Sequence, residues 1–102
     1  MQTYRKERAT ALLFEEITVL LQTEMEDPRV AALTVTEVSL TKDRRIARVY
    51  VTAPTEEDLQ EGLAALERAK GLVRRRVSEL LRWRFAPEVE FRPDRTPQRS
   101  AR

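Results

Sequence analysis

Two runs of strand-forming residues, separated by a short polar stretch, constrain this chain more than any other feature. Residues 33–40 read Leu-Thr-Val-Thr-Glu-Val-Ser-Leu, and residues 45–52 read Arg-Ile-Ala-Arg-Val-Tyr-Val-Thr. Both are dense in β-branched side chains, which fit a pleated surface. Between them lies Thr41-Lys42-Asp43-Arg44, a connection of the length and polarity of a hairpin loop. In the second run, alternation puts Ala47, Val49 and Val51 on one side, and Ile46, Arg48, Tyr50 and Thr52 on the other. The first set is the expected core face. A hairpin alone is marginal in water, so the flanking segments must cover that face.

They carry helical periodicity. Residues 4–25 place Leu13, Ile17, Leu20 and Leu21 at helical spacing with Phe14 beside them, and Asp27-Pro28 ends the run, because proline disfavours the helical state in the residue before it. A second helix is expected to begin at Thr55, which can cap free amides, with Glu56, Glu57 and Asp58 at the positive end of the dipole. Leu59, Leu63 and Leu66 continue it until Ala69-Lys70-Gly71 interrupts. A third helix is expected over 72–84, with Val73, Val77, Leu80 and Leu81 as its apolar stripe and Arg68, Arg75 and Arg82 opposite. Pro87 precedes a short strand at 88–92. The order is α-β-β-α-α-β: an α+β layer in which helices pack on one face of a three-stranded sheet. Residues 1–92 are expected to be a single domain and 93–102, Pro-Asp-Arg-Thr-Pro-Gln-Arg-Ser-Ala-Arg, a flexible basic tail.

Composition removes several kinds of chemistry. The 102 residues contain no cysteine and no histidine. Disulfides, thiolate or imidazole zinc sites and histidine-based triads are therefore excluded, and the expected compartment is the cytoplasm. The basic start at Arg5 and Lys6 is followed by no signal-peptide core, and no apolar run approaches the ~20 residues of a spanning helix. No catalytic motif is visible, so a non-enzyme is expected, with no cofactor or metal.

Charge is the remaining signal. Residues 1–67 hold 8 Lys/Arg against 13 Asp/Glu, whereas residues 68–102 hold 11 against 4. This polarity suggests a polyanion partner for one face; the alternative is a solvated surface with chance clustering. Arginine outnumbers lysine 16 to 3, and its planar fork suits phosphate. Arg74, Arg75, Arg76, Arg82 and Arg84 crowd one expected helix beside a lone Glu79. Such repulsion weakens a helix by roughly 0.2–0.5 kcal/mol per pair unless an anion relieves it. Gly71 offers backbone freedom for a sharp interhelical kink at Ala69-Lys70-Gly71, with Lys70 adding charge near free amides; the alternative is a plain helix cap. Lys42, Arg44, Arg45 and Arg48 make a second basic set around the hairpin, which would equally protect a sheet edge. Glu56, Glu57, Asp58 and Glu61 read as helix-start acids rather than a metal site, and Trp83, Phe85 and Phe91 as packing rather than base-stacking residues.

Several stretches together resemble the ribosome-binding factor A family. They are Asp27-Pro28-Arg29-Val30 followed by Leu33 to Leu40, then Ala47-Arg48-Val49-Tyr50-Val51, then Ala69-Lys70-Gly71-Leu72-Val73-Arg74, and Arg84-Phe85-Ala86-Pro87-Glu88-Val89-Glu90-Phe91 with Asp94. The resemblance implies a type II KH-like fold in which an Ala-x-Gly kink, here Ala69 and Gly71, replaces the usual GXXG loop. It also implies binding to the immature 30S subunit and its 16S rRNA, late maturation including the 5′ end, and support of growth in the cold. It further implies departure assisted by a small-subunit GTPase or an initiation factor. Many relatives continue past the last strand, so contacts carried by that segment are not expected here. The Ser39-Leu40-Thr41-Lys42-Asp43 turn also departs from the family's commoner Ser-x-Asp pattern.

The expected contacts to rRNA are Lys70, Arg74, Arg75, Arg76 and Arg82, with Arg44, Arg45, Arg48, Arg5 and Lys6 secondary, on a monomer that meets no membrane. A general single-stranded RNA-binding module and a protein-interaction adaptor using the acidic half are the alternatives.

Overall fold

The computed structural model describes residues 2–95. Helix α1 spans Gln2–Thr23, a one-turn helix α2 spans Pro28–Ala31, and strands β1 (Thr34–Leu40) and β2 (Ile46–Thr52) form the hairpin. Helices α3 (Glu56–Arg68) and α4 (Lys70–Leu81) follow, and β3 spans Glu88–Pro93. The sheet order is β1-β2-β3, with β1 antiparallel and β3 parallel to β2. Its buried face is built from Val35, Val38 and Leu40 of β1, Ala47, Val49 and Val51 of β2, and Val89 of β3. Leu13, Ile17, Leu20 and Leu21 of α1, Leu59, Ala65 and Leu66 of α3, and Val73 and Val77 of α4 close over it in one core. Burying a side chain of this size contributes about 1.5–3 kcal/mol, so the three long helices are held mainly by this shared face. The fold is the expected α+β layer with helices on one side of a three-stranded sheet, consistent with a KH-like domain.

The core face of β2 is the one its alternation indicates, and Thr55 caps α3 by accepting from the Asp58 amide at 3.0 Å. Four details differ from the sequence reading. Asp27-Pro28 ends nothing on its own: Asp27 caps α2, accepting from the Arg29 amide at 3.0 Å, and Pro28 occupies the first turn, where its missing N–H costs no bond. β1 carries a bulge between Val35 and Glu37. The extra residue, Thr36, turns outward and donates its hydroxyl to Asp94 at 2.6 Å.

The interhelical break is the third difference. It falls at Ala69, with ordinary angles (φ −98°, ψ 9°), and Gly71 has no positive φ. Gly71 is simply an exposed residue in the first turn of α4, with nothing within 4 Å of where a Cβ would stand. The kink needs no glycine, because the Leu72 and Val73 amides both turn back to the Ala69 carbonyl, at 3.1 and 3.3 Å. Last, β3 reaches Pro93, one residue past the expected strand. The Asp94 amide donates to the Val51 carbonyl at 2.8 Å, and Arg95 grips Glu56 with two bonds of 2.9 and 3.0 Å. The remainder of the expected tail lies outside the described residues.

Candidate nucleic-acid interface

Helix α4 carries the densest basic run, and helical geometry decides what each arginine does. Consecutive residues on a helix point about 100° apart, so Arg74, Arg75 and Arg76 fan into three directions. Arg74 reaches β3 and pairs with Glu88 at 3.2 Å, both groups well exposed. Arg76 turns inward toward α1. There it binds Glu16 at 3.2 Å and makes a closer pair with Glu24, and its side chain is only 28% exposed. The hydrogen bonds it donates to Glu24 and then Glu16 push its pKa up, while the same contact holds the Glu24 carboxyl below its ordinary range. Arg76 therefore fastens α4 to α1 and does not stand on the open basic face where sequence reasoning put it. Arg75 points to solvent and has no acidic partner among the described residues.

The helix ends at Leu81, earlier than the periodicity indicated, because Arg82 takes a left-handed conformation (φ 55°, ψ 28°) and its amide closes on the Ser78 carbonyl at 3.0 Å. Arg84 consequently lies in the α4–β3 loop. Arg82 is exposed and also lacks an acidic partner among the described residues. Lys70, at the other end of α4, pairs with Glu67 at 3.5 Å. Surface pairs of this kind contribute about 0–1 kcal/mol, so Lys70 and Arg74 can exchange their carboxylates for phosphates at small cost.

Of the hairpin set, Arg44 occupies the turn in a left-handed conformation (φ 63°) and stands over the Trp83 ring, 5.5 Å from its centroid. The turn is closed by the Arg44 amide on the Thr41 carbonyl at 2.9 Å, with the Thr41 hydroxyl donating to Asp43 at 2.8 Å. That hydroxyl and the Arg45 amide hold the Asp43 carboxyl below its ordinary range. Arg45 is widely exposed, 3.9 Å from Asp43. Arg48 lies on the open face of the sheet instead, bound to Glu90 at 3.3 Å. Arg5 lines a groove with Arg8, Leu12, Leu80, Leu81 and Trp83; this places the start of α1 beside the end of α4. Lys6 is half-buried in the same first turns.

The structure thus gathers Arg5, Arg44, Arg45 and Arg82 around Trp83 at one end of the molecule. Lys70 marks the other end of α4, about 18 Å away along a twelve-residue helix, with Arg74 and Arg75 between. Arg76 and Arg48 belong to other neighbourhoods. Sequence reasoning missed the environment of Phe85, which is 78% exposed with the Arg84 guanidinium 5.6 Å from its ring centre. No single-residue pattern marks it, but its place at the end of the alternating Arg82-Trp83-Arg84-Phe85 run was a usable signal. Among the described residues, no group of three or more His, Cys, Asp or Glu is placed to hold a metal, and no helix is long and apolar enough to cross a membrane.

Comparison with known proteins agrees with the sequence resemblance. The model of the family described as ribosome-binding factor A matches residues 5–102. Ribosome-binding factor A of Dictyoglomus thermophilum is 41% identical over 92 residues, covering 88% of this chain and 77% of that protein. That of Thermodesulfovibrio yellowstonii is 38% identical over 103 residues, covering 100% and 87%. The crystal structure of ribosome-binding factor A from Thermus thermophilus superposes with a TM-score of 0.75 at 36% identity, over 86% of this chain and 94% of that one. A homology model of Thermus thermophilus ribosome-binding factor A, fitted into a cryo-EM map of a 30S complex with that factor, gives a TM-score of 0.69 at 38% identity, over 85% and 93%. On sequence and on fold together, this chain belongs to the ribosome-binding factor A family.

Proposed function

We propose that this protein binds the immature small ribosomal subunit through 16S rRNA and promotes a late folding step, including maturation of the 5′ end, without catalysing a reaction. The observation that carries the reading is the basic ridge of Arg75 and Arg82, seven residues apart on one side of α4 and its C-cap, with Lys70 and Arg74 on the adjoining side and Arg44, Arg45 and Arg5 beyond the helix end. Arg75 and Arg82 lack an acidic partner among the described residues, so phosphates are their natural counter-ions. The 30S complex of the Thermus relative supports the choice of particle. Phosphate contacts supply affinity and salt dependence, and the shape of the RNA selects the site. The protein acts as a monomer in the cytoplasm, in the support of growth in the cold, and leaves with the help of a small-subunit GTPase or an initiation factor.

Cosedimentation tests this directly. Wild type is expected to travel with 30S particles and not with 50S. The double variant Arg75→Glu/Arg82→Glu is expected to lose that binding while its circular dichroism stays native, since neither side chain joins the core. Retained binding by the double variant would remove this ridge from the interface. Equal binding to 50S would reduce the protein to a general RNA binder.

A further inference from the structure

We propose that the α4–β3 loop and the hairpin turn form a pocket for one unstacked base of single-stranded RNA, with Phe85 and Trp83 as the aromatic surfaces and arginines for the flanking phosphates. A groove of about 580 Å³ opens between the two segments, lined by Trp83, Phe85, Arg44 and Arg45 among others. That size falls within the roughly 300–1,000 Å³ of sites that hold small ligands. An exposed apolar side chain by itself means little, but three features converge on this one.

The first is aromatic. Phe85 offers its ring to solvent at 78% exposure, and Trp83 lines the same groove. Any base has a flat face to set against such rings. The second is charge. The Arg44 guanidinium stands over Trp83 and that of Arg84 over Phe85, 5.5 and 5.6 Å from the ring centres. The two acids lining the groove are engaged: Asp43 accepts from the Thr41 hydroxyl and the Arg45 amide, and Glu88 pairs with Arg74. The third is backbone. Arg44 and Arg82 are the non-glycine residues with positive φ among those described, at 63° and 55°. Glycine would occupy both positions without strain, yet the chain places a cation at each, one in the hairpin turn and one just before Trp83. Flat rings framed by cations suit a nucleotide better than an acidic peptide, which needs no aromatic face.

Trp83 is the only tryptophan and lines both this groove and the one beside Arg5, so a Phe85-dependent change in its fluorescence is what assigns a signal to this site. The probe is hexauridylate RNA, titrated into wild type, Phe85→Ala and Phe85→Tyr, each checked for an unchanged melting temperature. Quenching of Trp83 is expected with wild type. About a tenfold or greater loss of affinity is expected with Phe85→Ala, and near-wild-type binding with Phe85→Tyr. Equal affinity of Phe85→Ala and wild type would overturn the proposal, as would equal quenching by hexaglutamate, which would assign the groove to an acidic protein. The inference rests on the rRNA reading, but the two fail separately. An unaffected Phe85→Ala beside intact 30S cosedimentation sinks the base pocket alone. RNA quenching that depends on Phe85, in a wild type that ignores 30S, sinks the ribosomal reading alone.

Discussion

The two glycines of this chain should respond in opposite ways to the same substitution. Both lie inside helices, Gly62 in α3 and Gly71 in α4, so alanine would raise helix propensity at each by up to about 1 kcal/mol. Their surroundings differ. A Cβ on Gly71 meets nothing within 4 Å, whereas a Cβ on Gly62 falls 2.7 Å from both Cγ and Cδ2 of Leu33 and 2.9 Å from Cδ1. Carbon atoms pack at about 3.5–4.0 Å, so Leu33 must retreat by roughly 1 Å. It has no room to do so, being 2% exposed and part of the core. Its Cγ is close to the backbone, so a rotamer change alone does not clear the clash. Such overpacking costs about 1–3 kcal/mol. The propensity gain is common to both variants and largely cancels in their comparison, leaving the overpacking cost as the difference. For a domain of this length, 1 kcal/mol shifts the melting temperature by about 4–8 °C. Gly71→Ala is therefore expected to melt about 5–20 °C above Gly62→Ala, and slightly above wild type, in thermal scans by circular dichroism. Equal melting temperatures would refute the claim that α3 approaches Leu33 too closely for any side chain.

Two further outcomes follow from the same geometry. Arg82→Gly removes a left-handed strain of about 1–2 kcal/mol against about 0.5–1 kcal/mol of added chain entropy; denaturant titration should show a gain of about 0.5–1 kcal/mol together with weaker 30S cosedimentation, and a loss of stability would show that Arg82 serves the fold. Acid should lower the stability of the domain in part through its ion-paired carboxylates. Asp27 is lowered from 3.8 to about 2 by the Arg29 side chain and amide, and Glu56 from 4.5 to about 2 by Arg95 and Gln60. Depressed folded-state values mean stability present above the unfolded values and lost as pH falls from about 4.5 toward 2. Asp27→Asn/Glu56→Gln should flatten the fall of melting temperature across that window, and parallel profiles would contradict the assignment.

Features set by neighbours in the chain were legible in the sequence. The hairpin, the inward set Ala47, Val49 and Val51, and the Thr55 cap depend on alternation or on a side chain reaching an amide three residues on. Features set by distant partners were not. Thr36 is pushed out of register by a bulge, and its hydroxyl meets Asp94 from 58 positions away. The position of Arg95 depends on Glu56, on a helix 39 positions earlier. Gly71 was credited with the kink because glycine is permissive, but permission is not use: Ala69 makes the break with angles open to any residue.

The arginine run shows why a charge count cannot by itself locate an interface. Arg74, Arg75 and Arg76 are equivalent in the sequence, and their crowding suggested a shared counter-anion from outside. The fold supplies one internally for Arg76, because Glu16 on α1 and Glu24 just past its end both reach it from the side turned toward α4. It supplies a looser, exposed one for Arg74 in Glu88. What remains for a polyanion is the residue whose direction meets no other element, Arg75, together with Arg82, a cation placed where the backbone must strain to hold it. An arginine that fastens two helices contributes to stability whether or not RNA is present. An arginine kept in a left-handed turn, where glycine would be easier, lowers stability until something outside the chain compensates. Those two opposed contributions to the folded state, rather than local charge density, separate the scaffold from the binding surface in this protein.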